Sequence, residues 1–566
     1  MEKHTKEYIK SVKDNFHFIY KVIHPSENLT LESSELTPTV DSFLKSSKGL
    51  CSEKQAAVFV FLALFLRYPF PHELNATLFG LRFDGLENTL NYLFRSNLGA
   101  IGSLDYIARE TLLVDVSHTK KYKHNSGIQR VVRSLCSALW KKKKNIAFIH
   151  WNESMQPMRV DEDEIDFVVG WSNSSRGKKG VLTTKRWKLR LAFVSTLIKR
   201  IILLPFTSIL PATRFVIKYV FNNTNLGITI LSKLDAIKSK KSSPLGLLPL
   251  SAYDTNYKRP KEKTLLFFKS NLLVPELTCE GYRYEPTFVV RDADLTQLGY
   301  IVYDLIPVFN PEFCVSTIRA EFNQYLKLLR YADKISCISQ TVQDEVKSIE
   351  TCIVRVNKNP LKKETHLLAG DFNSDIPVDN SMGQCIPNDG LDYILAVGTL
   401  EPRKNGLAVL RACISAMKNG HKFRLIFAGN PGWLAEELLE NIHKFQKQGF
   451  PILAFSSVSE GALKYLYQNS KFTLFCSLAE GFGLPILESL HYKKPVITSR
   501  RGSMKELAQS FGGCVLVDPI DVDDISKNII QLLSDQNLYN KLKTEAQNVS
   551  LPTWDEYSET IYSYFA

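Results

Sequence analysis

The chain has 566 residues, 44% hydrophobic and 23% charged, which is too long for one ordinary core and too apolar for a disordered or fibrous protein. Ten cysteines, at 51, 136, 279, 314, 337, 352, 385, 413, 476 and 514, fall singly with no CxxC spacing, which argues for a reducing compartment and against a structural zinc site. Net charge is +13, yet fifteen lysines and arginines against Asp235 as sole acid lie between Arg176 and Lys241, so the basic character is local.

The start, MEKHTKEYIKSVKDNFHF, is charged throughout and shows no apolar core of a secretory signal. The longest apolar runs, Ala56 to Leu66 and Ile201 to Thr213, are too short to span a bilayer, so a cytoplasmic protein is expected. Residues 1–110 read as a helical extension, from EKQAAVFVFLALFLRYPF and the three-to-four spacing of LNATLFGLRFDGLENTLNYLFRSN. At Thr111 the texture changes to a strand, TLLVDVS, then a loop carrying Gly127, then an amphipathic helix. NIAFIHW, DFVVGW, TLLFFKSNLLV and GYIVYDLIPV read as further strands, and ADKISCISQTVQDEV as a strand with a helix start at Ser339 or Gln340.

These elements outline a Rossmann-like domain over 111–375, with the basic stretch as an insertion at 176–245. The polar run KKETHLLAGDFNSDIPVDNSMGQCIPNDG reads as linker, placed at 376–390. From Asp392 strands and helices alternate strictly through YILAVGT, FRLIFAGN, ILAFSSV, FTLFCSL, KPVITSR and CVLVDP, giving a second α/β domain over 391–548. Residues 549–566 are expected to form a helix returning toward the first domain.

In an open α/β sheet the ligand lies at the carboxyl ends of the strands. In the second domain those ends are GTLEPRKN, GNPGW, Ser456 to Glu460, EGFGL and RRGS. Arg403 and Lys404 suit a phosphorylated ligand, and the glycine turns and helix starts offer backbone amides to anionic oxygens. Taken singly, an Arg-Lys pair before a helix is usually solvated, and a GFG turn only permits a tight bend. Glu480 stays on the loop while Glu488 lies about one turn into the next helix, so the two suit hydroxyls on different parts of one extended ligand rather than an acid/base dyad.

AEGFGLPILES resembles the E-x7-E signature of retaining glycosyltransferases of family 4, the glycosyl transferases group 1, which have the GT-B fold of two Rossmann-like domains facing a cleft. VGTLEPRKN, FAGNPG, LKYLY, TSRRGSMKEL and VDP extend the resemblance over about 390–566. LLVDVSHTKKYKHNSGIQRVVRSL and VYDLIPVFNPEFC are similar to the acceptor-side domain of a bacterial branch, mannosyltransferase-like, acting in O-antigen and capsule synthesis. The resemblance implies that Arg403 and Lys404 hold the diphosphate of a nucleotide sugar, with Gly127 approaching from the first domain. It implies that Glu480 binds the donor sugar and Glu488 the ribose, and that the backbone of Phe482, Gly483 and Leu484 contacts sugar and phosphate. Gly398, Thr399, Asn405 and Gly429 complete the donor side, and Asp304, Tyr303 and Arg130 fall on the acceptor side. Thr399 stands where many relatives carry arginine, and Tyr303 where many carry histidine.

The activity so implied is metal-independent transfer of a hexose to a growing, lipid-linked surface polysaccharide, with no cofactor and no dedicated protein base. GDP-mannose is the favoured donor, with dTDP-rhamnose, UDP-sugars and GDP-fucose as alternatives. The basic, apolar stretch 176–241 suits helices lying on an anionic membrane, which would make the protein peripheral on the inner face of the plasma membrane, beside other polysaccharide-assembly enzymes. No nucleic-acid motif is present. A GT-B nucleotide-sugar epimerase and a non-catalytic glycan-binding scaffold are the alternatives.

Overall fold

A computed structural model describes residues 2–97, 99–121, 127–152, 154, 156–169, 263–278, 281–350, 360–370 and 376–566. The basic insertion at 176–245 lies outside the described residues.

The strands in chain order are β1 Leu104–Tyr106, β2 Leu112–Asp115, β3 Ile146–Trp151, β4 Pro157–Arg159, β5 Thr264–Leu266, β6 Ser270–Val274, β7 Thr296–Val302, β8 Lys334–Cys337, β9 Lys362–Thr365, β10 Tyr393–Val397, β11 Arg424–Ala428, β12 Ile452–Phe455, β13 Thr473–Phe475, β14 Val496–Ser499 and β15 Cys514–Val517. Among the described residues the first domain has the order β4-β3-β2-β6-β7-β8-β9, parallel except for β3 with β4. The second has β12-β11-β10-β13-β14-β15, parallel throughout. In both, strand order reverses beside the first strand of the domain, the switch point where doubly wound sheets open a crevice.

The second sheet follows its sequence pattern closely. Its strands are nearly continuous apolar runs, as strands covered on both faces must be. Leu425 and Phe427 pack into one core layer, Ile426 and Ala428 into the other. Three readings of the first domain are corrected. DFVVGW does not give a strand: Glu162–Val169 is a helix, begun by Glu162, Asp163 and Glu164, whose charges favour a helix N-terminus, with Ile165 and Val168 buried one turn apart. TLLFFKSNLLV is broken at Lys269, which has a left-handed φ of 50°, into β5 and β6. The polar run after Lys362 is not all linker, since β9 pairs in parallel with β8.

Residues 2–110 are largely helical, but they are not an appendage. The helix Glu53–Phe65 is held at its start by a Ser52–Gln55 capping box and is buried on all sides from Ala57 to Phe65. Its side chains belong to the same apolar cluster as the strands of the first domain. Tyr68 donates to the Leu265 carbonyl at 3.3 Å and accepts from the Phe267 amide at 2.8 Å, and Lys54 pairs with Asp292 at 2.8 Å.

At the far end of the chain the helix Trp554–Phe565 lies on the first domain. Lys144 bonds Glu559 at 2.6 Å, Lys334 donates to the Tyr564 carbonyl at 2.8 Å, and Phe565 packs on Gly299 in the middle of β7. A Cβ at Gly299 would stand 2.3 Å from the Phe565 ring. Gly299→Ala is expected to lower stability by about 1–3 kcal/mol, as overpacking does. Denaturant unfolding of that variant, with Phe565→Ala as partner, is the check: the double variant should recover part of the loss.

Candidate functional site

At the switch point of the second domain two loops meet, one after β10 and one after β13. Gly398, at φ +140°, turns the chain out of β10, and a Cβ on Gly429 would lie 1.9 Å from the Gly398 carbonyl oxygen, so both positions require glycine. Asn405, left-handed at φ 60°, spends its side-chain amide on the Cys476 and Pro519 carbonyls at 3.0 and 2.6 Å. The side chain of Asn405, expected on the donor side, ties the loop to β13 and to the loop after β15.

Arg403 and Lys404 sit in the short 3-10 turn Pro402–Lys404, and neither is a solvated surface cation. Arg403 donates to Glu480 Oε2 at 2.7 Å, to the Ala479 carbonyl at 2.8 Å and to Glu401 Oε1 at 2.8 Å. Lys404 Nζ meets Glu480 Oε1 at 2.5 Å. Each side chain of this cluster is under one-fifth exposed. Burial alone would push the Glu480 carboxyl up, but Lys404 and Arg403 outweigh it and hold it below the usual carboxylate range. Gly398, Thr399, Lys404 and Ser477 line a small pocket beside the cluster, and the Ser477 hydroxyl is buried there without a hydrogen-bond partner.

The loop after β7 of the first domain closes on the same place. A Cβ on Gly481 would stand 1.9 Å from the Tyr303 carbonyl oxygen and 2.8 Å from Asp304 Cβ. Ser339 Oγ donates to the Gly481 carbonyl at 2.8 Å, and Ser503 Oγ to that of Glu480 at 2.9 Å. Asp304 faces the cluster: burial raises its carboxyl, with Arg403 pulling the other way. Tyr303 is a correction, because its side chain turns into the core and its hydroxyl donates to the Pro275 carbonyl at 2.7 Å. Only its backbone borders the cleft.

Glu488, on the helix Leu484–His491, is also buried. Arg130 of the first domain reaches its Oε1 at 3.0 Å, and the Tyr467 hydroxyl donates to Oε2 at 2.6 Å. Burial would lower the Arg130 guanidinium, but Glu488 and Glu460 more than offset it. Arg130 thus belongs to the donor side as much as to the acceptor side. Phe482 is buried, Gly483 is left-handed at φ 116°, and Leu484 begins the helix, so its amide belongs to the first turn that a helix leaves unpaired. Gly127 heads the helix Gly127–Lys141 and is exposed, and a Cβ there would meet no atom within 4 Å.

The switch point of the first domain is filled by its own ions. Arg283, fully buried, joins Asp115 at the end of β2 at 3.1 Å to Glu276 after β6 at 2.9 Å, and Glu276 also accepts the amides of His118 and Thr119. Sequence reading missed this network, as it missed Glu401, Tyr467 and Ser503. Glu401, Tyr467 and Ser503 all stand in the quoted motifs GTLEPRKN, LKYLY and RRGS, but only Glu401 was legible by its charge; the other two act through hydroxyls whose partners the fold supplies.

Residues 379–549 match the family model described as "Glycosyl transferases group 1", so this part of the chain is similar to that family. The chain is 27% identical over 312 residues to the serotype-specific mannosyltransferase WbdA of Escherichia coli, covering 53% of this chain and 37% of that protein. It is 36% identical over 146 residues to the O-antigen chain mannosyltransferase B of Escherichia coli, covering 26% of this chain and 38% of that protein. The chain thus spans well under two thirds of the curated relatives it matches. Among solved structures, sucrose-phosphate synthase from Thermosynechococcus elongatus is 14% identical with a TM-score of 0.47, covering 80% of this chain and 98% of that one. The N-terminal domain of Candida albicans trehalose-6-phosphate phosphatase is 15% identical with a TM-score of 0.48, covering 81% and 96%.

One group beside the site should titrate near neutrality. Burial, then Asp304, pushes the Glu345 carboxyl, on the helix Gln340–Glu350, up to about 7. A folded-state value above the unfolded one means that the native chain holds the proton more tightly. Stability should therefore fall as pH rises from the ordinary carboxylate range through about 7. Glu345→Gln is expected to flatten that decline in a series of thermal unfolding curves taken over roughly two pH units either side of the midpoint.

Proposed function

We propose that the protein is a retaining, metal-independent glycosyltransferase that moves a hexose, mannose favoured, from a nucleotide diphosphate sugar to a lipid-linked surface polysaccharide such as O-antigen or capsule. One observation carries the reading: Arg403 and Lys404, from the loop after β10, converge on Glu480, from the loop after β13, at the switch point of a group 1 glycosyltransferase domain. The mannosyltransferase names of the partial relatives support the sugar.

The chemistry follows from charge. As the bond from the anomeric carbon to the diphosphate oxygen breaks, negative charge grows on the leaving group and oxocarbenium character on the sugar. Cations fixed at the diphosphate stabilise that state more than the ground state. Before a donor enters, Glu480 and Glu401 neutralise Arg403 and Lys404, so the site is not left with bare buried charge. An arriving diphosphate takes over those cations and frees Glu480 to accept from sugar hydroxyls. The acceptor hydroxyl attacks from the face the diphosphate leaves, and its proton passes to the departing phosphate oxygen. Configuration is retained and no protein base is needed. Asp304, borne by the first domain against Gly481, borders the side from which the acceptor arrives.

Lys404→Ala and Glu480→Ala should each cut turnover about 10²- to 10³-fold with nucleotide sugars and a lipid-linked acceptor. Full rates in both variants would rule out this site, and turnover that stops in chelator would rule out metal independence. Residues 176–241 are proposed to hold the protein on anionic membrane, beside other assembly enzymes. Co-sedimentation with vesicles should need anionic lipid and weaken with salt. Binding indifferent to both would leave the stretch a solvated or protein-contacting element.

A further inference from the structure

The helix Gln340–Glu350 of the first domain has its first turn satisfied from outside its own domain. The leading amides of a helix have no partner within it, and the residue just before usually supplies one. Ser339 does so for a single amide, accepting from Val342 at 3.1 Å, while its hydroxyl proton goes to the Gly481 carbonyl at 2.8 Å. The amides of Gln340 and Thr341 go instead to the two carboxylate oxygens of Glu506, at 2.8 and 3.1 Å, and the Thr341 hydroxyl joins them at 3.2 Å. Glu506 lies on the second-domain helix Gly502–Phe511, is half-buried, and among the described residues forms no ion pair. Its charge is met by the positive end of a helix from the other domain.

Each of the two helices also supports a group of the site. Further along Gln340–Glu350, Glu345 accepts the Leu305 amide and so holds the turn that presents Asp304, whose own carboxylate takes the Ile306 amide at 3.2 Å. On the helix of Glu506, Ser503 holds the Glu480 carbonyl at 2.9 Å. The helix starts meet closely, since a Cβ on Gly502 would stand 3.4 Å from Thr341 Cγ2. We infer that Glu506 is a positioning residue for the transfer: by gripping the start of the Gln340–Glu350 helix it fixes Asp304, on the acceptor side, relative to Glu480, on the donor side. The inference rests on the site reading above and deepens it. Every bond in the grip is polar, so water can replace it when the contact opens, and its contribution lies in geometry. Misplacing reacting groups by about 1 Å costs on the order of 10²-fold in rate.

The test compares the full chain with Glu506→Ala and Glu506→Gln in transfer to a lipid-linked acceptor, using whichever of GDP-mannose, GDP-fucose, dTDP-rhamnose and UDP-sugars the parent turns over. In Glu506→Ala kcat should fall about 10- to 100-fold. Calorimetric affinity for the matching nucleoside diphosphate should stay within roughly threefold, because Glu506 touches none of the side chains assigned to the donor. Hydrogen exchange at the Gln340 and Thr341 amides should quicken at least about tenfold. Glu506→Gln keeps the length and one acceptor oxygen, so it should fall between parent and Ala in both readouts, and it gives the same comparison should Ala not fold. Thermal unfolding establishes which variants are folded. An unchanged kcat in a folded variant would overturn the inference, as would a loss of nucleotide affinity equal to the loss in kcat, or slower transfer with unchanged exchange at the two amides. If the parent itself bound no nucleoside diphosphate, the donor-site reading would fall instead.

Discussion

The second domain depends on a carboxylate, Glu480, shared by two cations in a place with little water. Removing three charges from solvent is costly, and only close geometry with further hydrogen bonds compensates. The surrounding structure supplies both. Asn405 and the Gly398 turn set the cation loop, and the Ser503 hydroxyl and the Arg403 bond to Ala479 set the carboxylate loop. Losing any one partner would strand a buried charge.

The two switch points of the chain are alike in topology and opposite in use. In the first domain Asp115, Arg283 and Glu276 form a fully buried set that joins the end of β2 to the loop after β6. In the second domain the corresponding ions lie partly exposed beside a pocket with an unpartnered Ser477 hydroxyl. Similar residue types thus form a fully buried set in one sheet and a partly exposed cluster beside a pocket in the other.

The second sheet and its loops were readable because apolar strand runs and glycine turns report local constraints, and local constraints are written locally. That Arg403, Lys404 and Glu480 meet was legible from their places just after strand runs. The errors arose where tertiary contacts decide. DFVVGW is apolar enough for a strand, but its acidic lead-in favours a helix. Tyr303, just past β7, turns its ring into the core, where its hydroxyl finds the Pro275 carbonyl, a contact that a motif comparison alone does not register. The pairing of Arg130 with Glu488 spans 358 positions and has no local signature at all.

The helix Trp554–Phe565 carries a further meaning. It fills a face of the first domain, so that domain is built from two stretches of chain separated by the entire second domain. During synthesis the β7 surface around Gly299 stays uncovered until the helix Trp554–Phe565 has been made. The second domain, continuous in sequence, can close earlier. The first domain is thereby completed by a segment that follows the whole second domain in sequence.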